Sequence, residues 1–312
     1  MGTLESSFFA RVRIYCNEMF PVHIYLPYVV ALYACLSVTT QLLYDRVVII
    51  DTYGVVGLLT AFCMMMLLRT FDDLKDFEID KDLFPERAIP RGDVRKSDIT
   101  TLSVTSFVVL MAANLLFARH TLVPFFVMVG YALLTFKWFF AEAIHRKNLF
   151  LTMLTHQPLP LFINAYLIRT ALYAGGQEYG FSFGHILLLL LFSLPVTAWE
   201  VGRKIRAADM EPDYVTFSRI FGASGAATIS LVLLLISGFI SLYMGWRLDL
   251  PLTFYIANSA LLLFVAFVFI RFILHPEHRN NVLKNAVMFF TTLLFLNLLV
   301  HTLFQSEIKV LI

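Results

Sequence analysis

Long apolar runs, separated by short polar segments, recur along the whole 312-residue chain, and a helix needs about 20 apolar residues to cross a bilayer. The expected spans are about 21–44, 52–71, 98–117, 121–141, 149–169, 185–201, 221–244, 251–274 and 283–304. Because the fifth span contains Pro158 and Pro160, we expect it to be kinked or broken. The neighbouring His156 and Gln157 would line a cavity or satisfy backbone groups that the prolines free. The pattern therefore predicts an all-α membrane protein with about nine transmembrane helices.

Composition agrees with this interpretation. Hydrophobic residues make up 59% of the chain, and the mean hydropathy is +0.77. These values exclude an ordinary soluble domain. We expect a single integral-membrane domain over residues 1–312, in which residues 1–20 form an N-terminal cytoplasmic segment.

The Lys and Arg residues are distributed unequally between the two sides of the membrane. With nine spans, nineteen of the 24 lie on the side of the N-terminus, in loops and adjoining helix ends. An excess of this kind marks the cytoplasmic side. We therefore expect a multi-pass protein whose basic face is cytoplasmic. Because topology already accounts for the basic residues, we expect no nucleic-acid partner.

Four carboxylates lie where the second span leaves the membrane, on the expected cytoplasmic face: Asp72, Asp73, Asp76 and Asp80. Ionisable groups are costly at that depth and are functional candidates. At about 100° per residue, Asp73, Asp76 and Asp80 fall at roughly 0°, 300° and 340° around one helix. Like charges on one face repel each other unless a cation lies among them. Oxygen ligands of this kind favour Mg²⁺ over softer metals.

The order of residues in this stretch resembles the first motif of the UbiA superfamily of intramembrane prenyltransferases. In that family an N-D-x-x-D-x-x-x-D run ends the second transmembrane helix, and a loop rich in Arg and Pro follows. The matching residues are Asp72 (where the family usually has Asn), Asp73, Asp76, Asp80, Pro85, Arg87, Pro90 and Gly92. The resemblance implies helices around a central cavity, the four aspartates as Mg²⁺ ligands, and an active-site mouth on the cytoplasmic face. Without a ligand, the same residues would form a solvated helix end.

The end of the sixth span departs from the family's second motif, which is typically D-x-x-x-D. Glu200 occupies the first acidic position, and Lys204 stands where the second carboxylate is expected. On a helix, Glu200, Arg203 and Lys204 lie on neighbouring positions of one face. We expect Glu200 to bind the metal and the two basic residues to neutralise part of the diphosphate charge. The alternative is a basic helix end that anchors the protein at the membrane interface.

Further candidates lie in and after the fourth span. Family members place a Lys near the end of this helix, where it reaches the diphosphate. Lys137 matches this position, or else Arg146 and Lys147 do, and the sequence leaves the register open. Lys137 could instead pair with Glu142 or extend towards the membrane surface.

The resemblance implies a Mg²⁺-dependent prenyltransferase that ionises an allylic isoprenyl diphosphate. The prenyl group would pass to an aromatic, quinone-precursor or other lipophilic acceptor, within surrounding membrane lipid. The catalytic residues would be Asp73, Asp76, Asp80, Glu200 and Lys204, and the substrate-binding residues Arg87, Lys137, Lys147 and Arg203.

Two other functions compete with this one. A membrane terpene cyclase is the first, because Asp72 creates the DDxxD sequence of soluble terpene synthases. A non-enzymatic ion carrier or lipid transporter is the second. It predicts polar residues along the membrane midplane, where the spans carry few.

Overall fold

The computed structural model describes residues 7–176, 180–211 and 215–311 of the chain. In chain order, their helices are α1 (Phe8–Glu18), α2 (Val22–Leu42), α3 (Thr52–Lys75), α4 (Phe77–Leu83), α5 (Lys96–Phe117), α6 (Leu122–Phe136), α7 (Glu142–Lys147), α8 (Leu149–His156), α9 (Pro158–Leu172), α10 (Phe183–Gly202), α11 (Phe217–Phe221), α12 (Ala223–Arg247), α13 (Leu252–Leu274) and α14 (Leu283–Phe304).

Eight helical segments among these residues are long and apolar enough to cross a membrane, and they contain α2, α3, α5, α6, α10, α12, α13 and α14. The predicted fifth span forms two helices, α8 and α9, which meet at Gln157. Pro158 occupies the first turn of α9, where a missing backbone N–H is tolerated. The prediction of an all-α membrane protein is confirmed. The expected nine spans correspond to eight long helices and this divided one.

The long helices form a closed ring. Along it, α2 packs on α3, α3 on α5, α5 on α6, α6 on α9, α9 on α10, α10 on α12, α12 on α13, α13 on α14, and α14 on α2. Helix α9 also contacts α2 and α3 across the interior. Large side chains such as Tyr166, Phe192 and Phe290 are almost completely buried there. Apolar packing therefore fills much of the interior of the ring.

The acidic stretch lies at the junction of two helices. Helix α3 ends at Lys75, Asp76 has non-helical dihedral angles (φ −97°, ψ 8°), and α4 begins at Phe77. Backbone hydrogen bonds still run from Asp76 N to Asp72 O (2.9 Å) and from Asp80 N to Asp76 O (2.8 Å). The expectation of one uninterrupted helix through Asp80 is therefore wrong, because the helix breaks at Asp76.

The N-terminal segment forms α1, which packs against α5. Arg11 donates to both carboxylate oxygens of Asp98, from Nε (2.7 Å) and Nη2 (2.8 Å). In the loop between α4 and α5, Arg91 Nη2 donates to Glu18 Oε1 (2.9 Å). Tyr15 is completely buried in this contact. These bonds fix α1 beside the acidic stretch.

Two short parallel strands, β1 (Val47–Asp51) and β2 (Glu307–Leu311), pair near the start of α3. Asp51 caps α3 by accepting a hydrogen bond from Gly54 N (3.1 Å), and it also accepts one from Gly175 N (2.8 Å). The sequence-based interpretation included no strands. This pairing fixes the end of α3 that is remote from the acidic stretch.

Candidate active site

A cavity of about 660 Å³ opens where α3, α4 and α10 end. Its acidic side chains are Asp72, Asp73, Asp76, Asp80 and Glu200. Its basic side chains are Arg69, Lys75, Arg87, Arg203, Lys204 and Arg206. Its apolar side chains include Phe136, Met153, Leu159, Ile163 and Val196. The same cavity therefore presents both charged groups and an apolar wall.

Eight of the ten residues proposed from the sequence line this cavity, and Lys137 and Lys147 are the two that do not. Lys137 is exposed at the end of α6, with Nζ 5.2 Å from the centroid of the Phe136 ring. Lys147 is exposed at the end of α7. Arg146 Nη1 lies 4.0 Å from Asp76 Oδ1. Of the three candidates between which the sequence left the register open, Arg146 is the one placed beside the acidic stretch.

Asp80 and Arg87 form an ion pair at the cavity wall. Arg87 Nη1 donates to Asp80 Oδ2 at 3.0 Å, and the guanidinium lies 3.7 Å from the centroid of the Phe84 ring. About a third of the Arg87 side chain stays exposed (35%). The ring holds the guanidinium in place while part of it remains open to a ligand.

Asp72 and Asp76 are more accessible than the other aspartates of the cavity. Asp72 is exposed, and its Oδ1 lies 3.3 Å from Lys75 Nζ. That ammonium also lies 4.5 Å from the centroid of the Trp138 ring. Burial raises the pKa of the Asp76 carboxyl above its usual value, and the neighbouring Lys75 partly offsets this. Partial burial therefore makes the Asp76 carboxylate more receptive to a cation.

Asp73 has a different environment. It is almost fully buried (3% exposed), and both carboxylate oxygens accept short hydrogen bonds. Tyr15 donates to Oδ2 at 2.7 Å, and Arg69 donates from Nη2 to Oδ1 at 2.6 Å. The negative charge of Asp73 is thus balanced within the protein.

The second motif has an internal ion pair. Arg203 donates to Glu200 Oε2 from Nε (2.9 Å) and lies 2.7 Å from it through Nη2. Lys204 Nζ is 4.0 Å from the same oxygen. Burial lowers the pKa of the Lys204 ammonium, and the Glu200 charge raises it in part. Glu200 therefore orients two cations at the cavity wall, as the spacing of these residues predicts.

His156 and Gln157 line the cavity where α8 meets α9. His156 Nδ1 lies 2.9 Å from Thr152 O, which fixes the proton on Nδ1. Its Nε2 is buried and has no hydrogen-bond partner in the part of the chain that the structure describes. Gln157 Oε1 accepts a hydrogen bond from Thr197 (2.9 Å), which joins α9 to α10. The first of the two sequence-based interpretations, that these residues line a cavity, therefore describes the structure.

Several cavity residues were not singled out from the sequence, and Arg69, Lys75 and Trp138 are examples. The four-residue spacing of Arg69 and Asp73 was a usable signal for an ion pair. No comparable signal existed for Tyr15, which is 58 residues from Asp73.

The oxygen donors suit Mg²⁺, although they do not form a ready-made cage. Within residues 7–176, 180–211 and 215–311, no three His, Cys, Asp or Glu side chains surround one point as a metal site would require. Mg²⁺ is commonly held by one or two carboxylates together with substrate phosphates. Asp72, Asp76 and Asp80 meet that requirement, whereas Asp73 already uses both oxygens.

Comparison with known proteins identifies the fold. No protein-family model matches the sequence, and no curated protein matches it significantly. A structure of digeranylgeranylglyceryl phosphate synthase is similar over 94% of this chain and 98% of its own, with a TM-score of 0.65 and 12% identity. The apo structure of a UbiA homologue from Aeropyrum pernix K1 is similar over 86% and 96%, with a TM-score of 0.61 and 16% identity. The chain has the UbiA fold.

The expected architecture is therefore confirmed by the whole backbone and not by the motif alone. Both similarities cover nearly the full length of the known structures. In this UbiA fold, the first acidic motif and the altered second motif line one cavity, at the ends of α3 and α10.

Proposed function

We propose that the chain is an intramembrane prenyltransferase that ionises an allylic isoprenyl diphosphate and transfers the prenyl group to a lipophilic acceptor. The main support for this proposal is that charged groups and an apolar wall line the same cavity in a UbiA fold. The charged groups suit a diphosphate, and the apolar wall suits an isoprenyl chain. One of the similar structures is that of a digeranylgeranylglyceryl phosphate synthase.

The charge of the cavity supports a requirement for a divalent cation. Six basic and five acidic side chains line it, which leaves a formal charge of +1. A diphosphate ester brings about three negative charges near neutral pH, because the second ionisation of a phosphate lies near pH 6. The loaded site would therefore lack about two positive charges, which one Mg²⁺ would supply.

Asp72, Asp76 and Asp80 would hold Mg²⁺, because each lines the cavity with a carboxylate that is not fully engaged. When bound, the ion acts as a Lewis acid on the diphosphate oxygens. Glu200 would join this set only by weakening its ion pair with Arg203. We therefore propose it mainly as the residue that orients the second-motif cations.

The protein's own residues would do the remaining work. Arg87, Arg203 and Lys204 would bind the diphosphate oxygens and stabilise the charge that develops on them. The C1–O bond breaks, and its electron pair leaves with the diphosphate. C1 then bonds to the acceptor, which releases a proton. The apolar wall would exclude water from the allylic cation.

The basic side of the protein also carries the cavity mouth. On the positive-inside rule we propose that this mouth faces the cytoplasm. A soluble isoprenyl diphosphate would then enter from the cytoplasmic side, and its chain would extend between the helices towards the lipid.

The test is to incubate the purified protein with geranyl, farnesyl or geranylgeranyl diphosphate and Mg²⁺, with and without aromatic acceptors. Extracts are then analysed by mass spectrometry. A prenylated aromatic that forms only when the acceptor is present supports the transferase. A cyclic hydrocarbon formed without an acceptor would instead support the terpene cyclase. No conversion of any donor would contradict both.

A further inference from the structure

The first motif predicts that Asp73 binds the metal, but in the structure Asp73 forms an ion pair with Arg69. Asp73 is closed off by two donors, whereas Arg69 stays partly open: 29% of its side chain is exposed, and it lines the cavity. Arg69 Nη2 is used by Asp73, while its Nε is buried with no hydrogen-bond partner among the described residues. The guanidinium keeps its charge, and because Nε is buried, it is the exposed remainder of the group, at the cavity wall, that would donate to an anionic ligand.

We propose that Arg69 binds the diphosphate directly and that Asp73 positions this guanidinium instead of coordinating the metal. The inference rests on the proposed function, because it assigns two residues within the same cavity. A carboxylate that already accepts two charge-assisted or short hydrogen bonds would have to lose one to bind Mg²⁺. Arg69 needs no such rearrangement, since only Nη2 bonds to Asp73 and the exposed part of the guanidinium keeps N–H donors for a phosphate.

Tyr15 extends this arrangement to the N-terminal helix. It is completely buried on α1, and its hydroxyl donates to the Asp73 oxygen that Arg69 does not use. Hydrogen bonds therefore connect Tyr15 on α1, through Asp73, to Arg69 at the cavity wall. α1 thus acts as a support for the diphosphate site. Tyr15 and Asp73 are positioning residues, because both act through Arg69.

The first experiment measures binding of inorganic pyrophosphate to the detergent-solubilised full chain by calorimetry, at a saturating concentration of Mg²⁺. Arg69→Gln should weaken binding about tenfold or more, since a hydrogen bond to a charged group is lost. Arg69→Lys should give an intermediate loss, because it keeps the charge but not the fork. The control is Arg279→Gln, which removes an equal charge at a highly exposed site outside the cavity. It should leave the affinity unchanged.

The second experiment counts bound Mn²⁺ by electron paramagnetic resonance at saturating pyrophosphate. Asp73→Asn should keep Mn²⁺ affinity within about twofold of the unaltered chain, whereas Asp76→Asn should lower it about tenfold. Asp73→Asn leaves the Arg69 charge unpaired, which can impair folding. The double variant Arg69→Gln/Asp73→Asn removes both charges, and it should bind Mn²⁺ as the unaltered chain does.

Two outcomes would overturn the roles proposed for Arg69 and Asp73. Unchanged pyrophosphate affinity in Arg69→Gln would overturn the role of Arg69. A loss of Mn²⁺ in the double variant as large as in Asp76→Asn would return Asp73 to the metal. In either case, release of pyrophosphate from an allylic diphosphate by the unaltered chain would leave the proposed function standing. If the unaltered chain neither binds nor releases pyrophosphate, the proposed function fails as well.

Discussion

Replacement of Arg87 separates a role in substrate binding from a role in stability. In the folded chain Arg87 makes one partly exposed ion pair with Asp80 and lies against the ring of Phe84. A pair of this exposure contributes about 0–1 kcal/mol, and an exposed cation–π contact about 0.5–1 kcal/mol. Arg87→Met should therefore cost about 0.5–2 kcal/mol of stability.

The expected effect of Arg87→Met on kcat/KM is large, because the substitution also removes a contact with the substrate. A charge-assisted hydrogen bond to the diphosphate is worth about 1.5–3 kcal/mol, which corresponds to a fall in kcat/KM of about 10- to 150-fold. The assay is pyrophosphate release at low donor concentration, with thermal unfolding in detergent measured beside it. Lys81→Met is the matched control, because Lys81 likewise makes one ion pair, with Glu78, and one cation–π contact, with Phe77, but does not line the cavity. Equal losses of activity in the two variants would refute the assignment.

The remaining predictions concern pH, packing and orientation. Burial lowers the pKa of Lys204, whereas an arginine at this position would stay charged. Lys204→Arg should therefore move the alkaline loss of pyrophosphate affinity to higher pH. An identical pH profile in the two proteins would contradict the role of Lys204 in binding. In Gly245→Ala the new Cβ would overlap the buried Phe254 ring, so the free energy of unfolding should fall by about 1–3 kcal/mol while pyrophosphate affinity stays the same. In a cysteine-free background, Ser97→Cys should react with a membrane-impermeant thiol reagent only from the cytoplasmic side, and Thr253→Cys only from the other; the reverse pattern would invert the proposed topology.

The transmembrane helices were predictable because their signal is local. Apolar runs of sufficient length define each span, and the proline pair in the fifth span marks the division at Gln157. The acidic stretch was predictable for a related reason, since clustered carboxylates at the end of an apolar helix are costly without a function. The order of residues in this stretch also resembles the first motif of the UbiA superfamily, which implied the fold.

The contacts that the sequence did not predict are mostly long-range. The parallel pairing of β1 and β2 joins segments about 260 residues apart, and no local pattern specifies it. The bond from Tyr15 to Asp73 depends equally on how α1 docks. The break at Asp76 was missed because a period of 3.6 residues assumes a continuous helix. The register of Lys137 stayed open because both alternatives lie at a helix end.

Asp73 shows how a correct motif can still leave a role undecided. Its spacing from Asp76 fits a metal ligand, but its spacing from Arg69 fits an ion pair equally well. The sequence contains both signals. Only the arrangement of α1, α3 and the cavity determines which partners the carboxylate has.

The central claim is that this cavity ionises an allylic diphosphate with the help of a metal held by the acidic stretch. Its most direct measurement is the rate of pyrophosphate release from farnesyl diphosphate as Mg²⁺ is titrated, for the unaltered chain, Asp76→Asn and Asp82→Asn. Asp82 is exposed on α4 and does not line the cavity. We predict Mg²⁺-dependent release that Asp76→Asn lowers about 100-fold or more and Asp82→Asn leaves intact. Equal release in all three proteins, or release that continues unchanged in EDTA, would contradict the account.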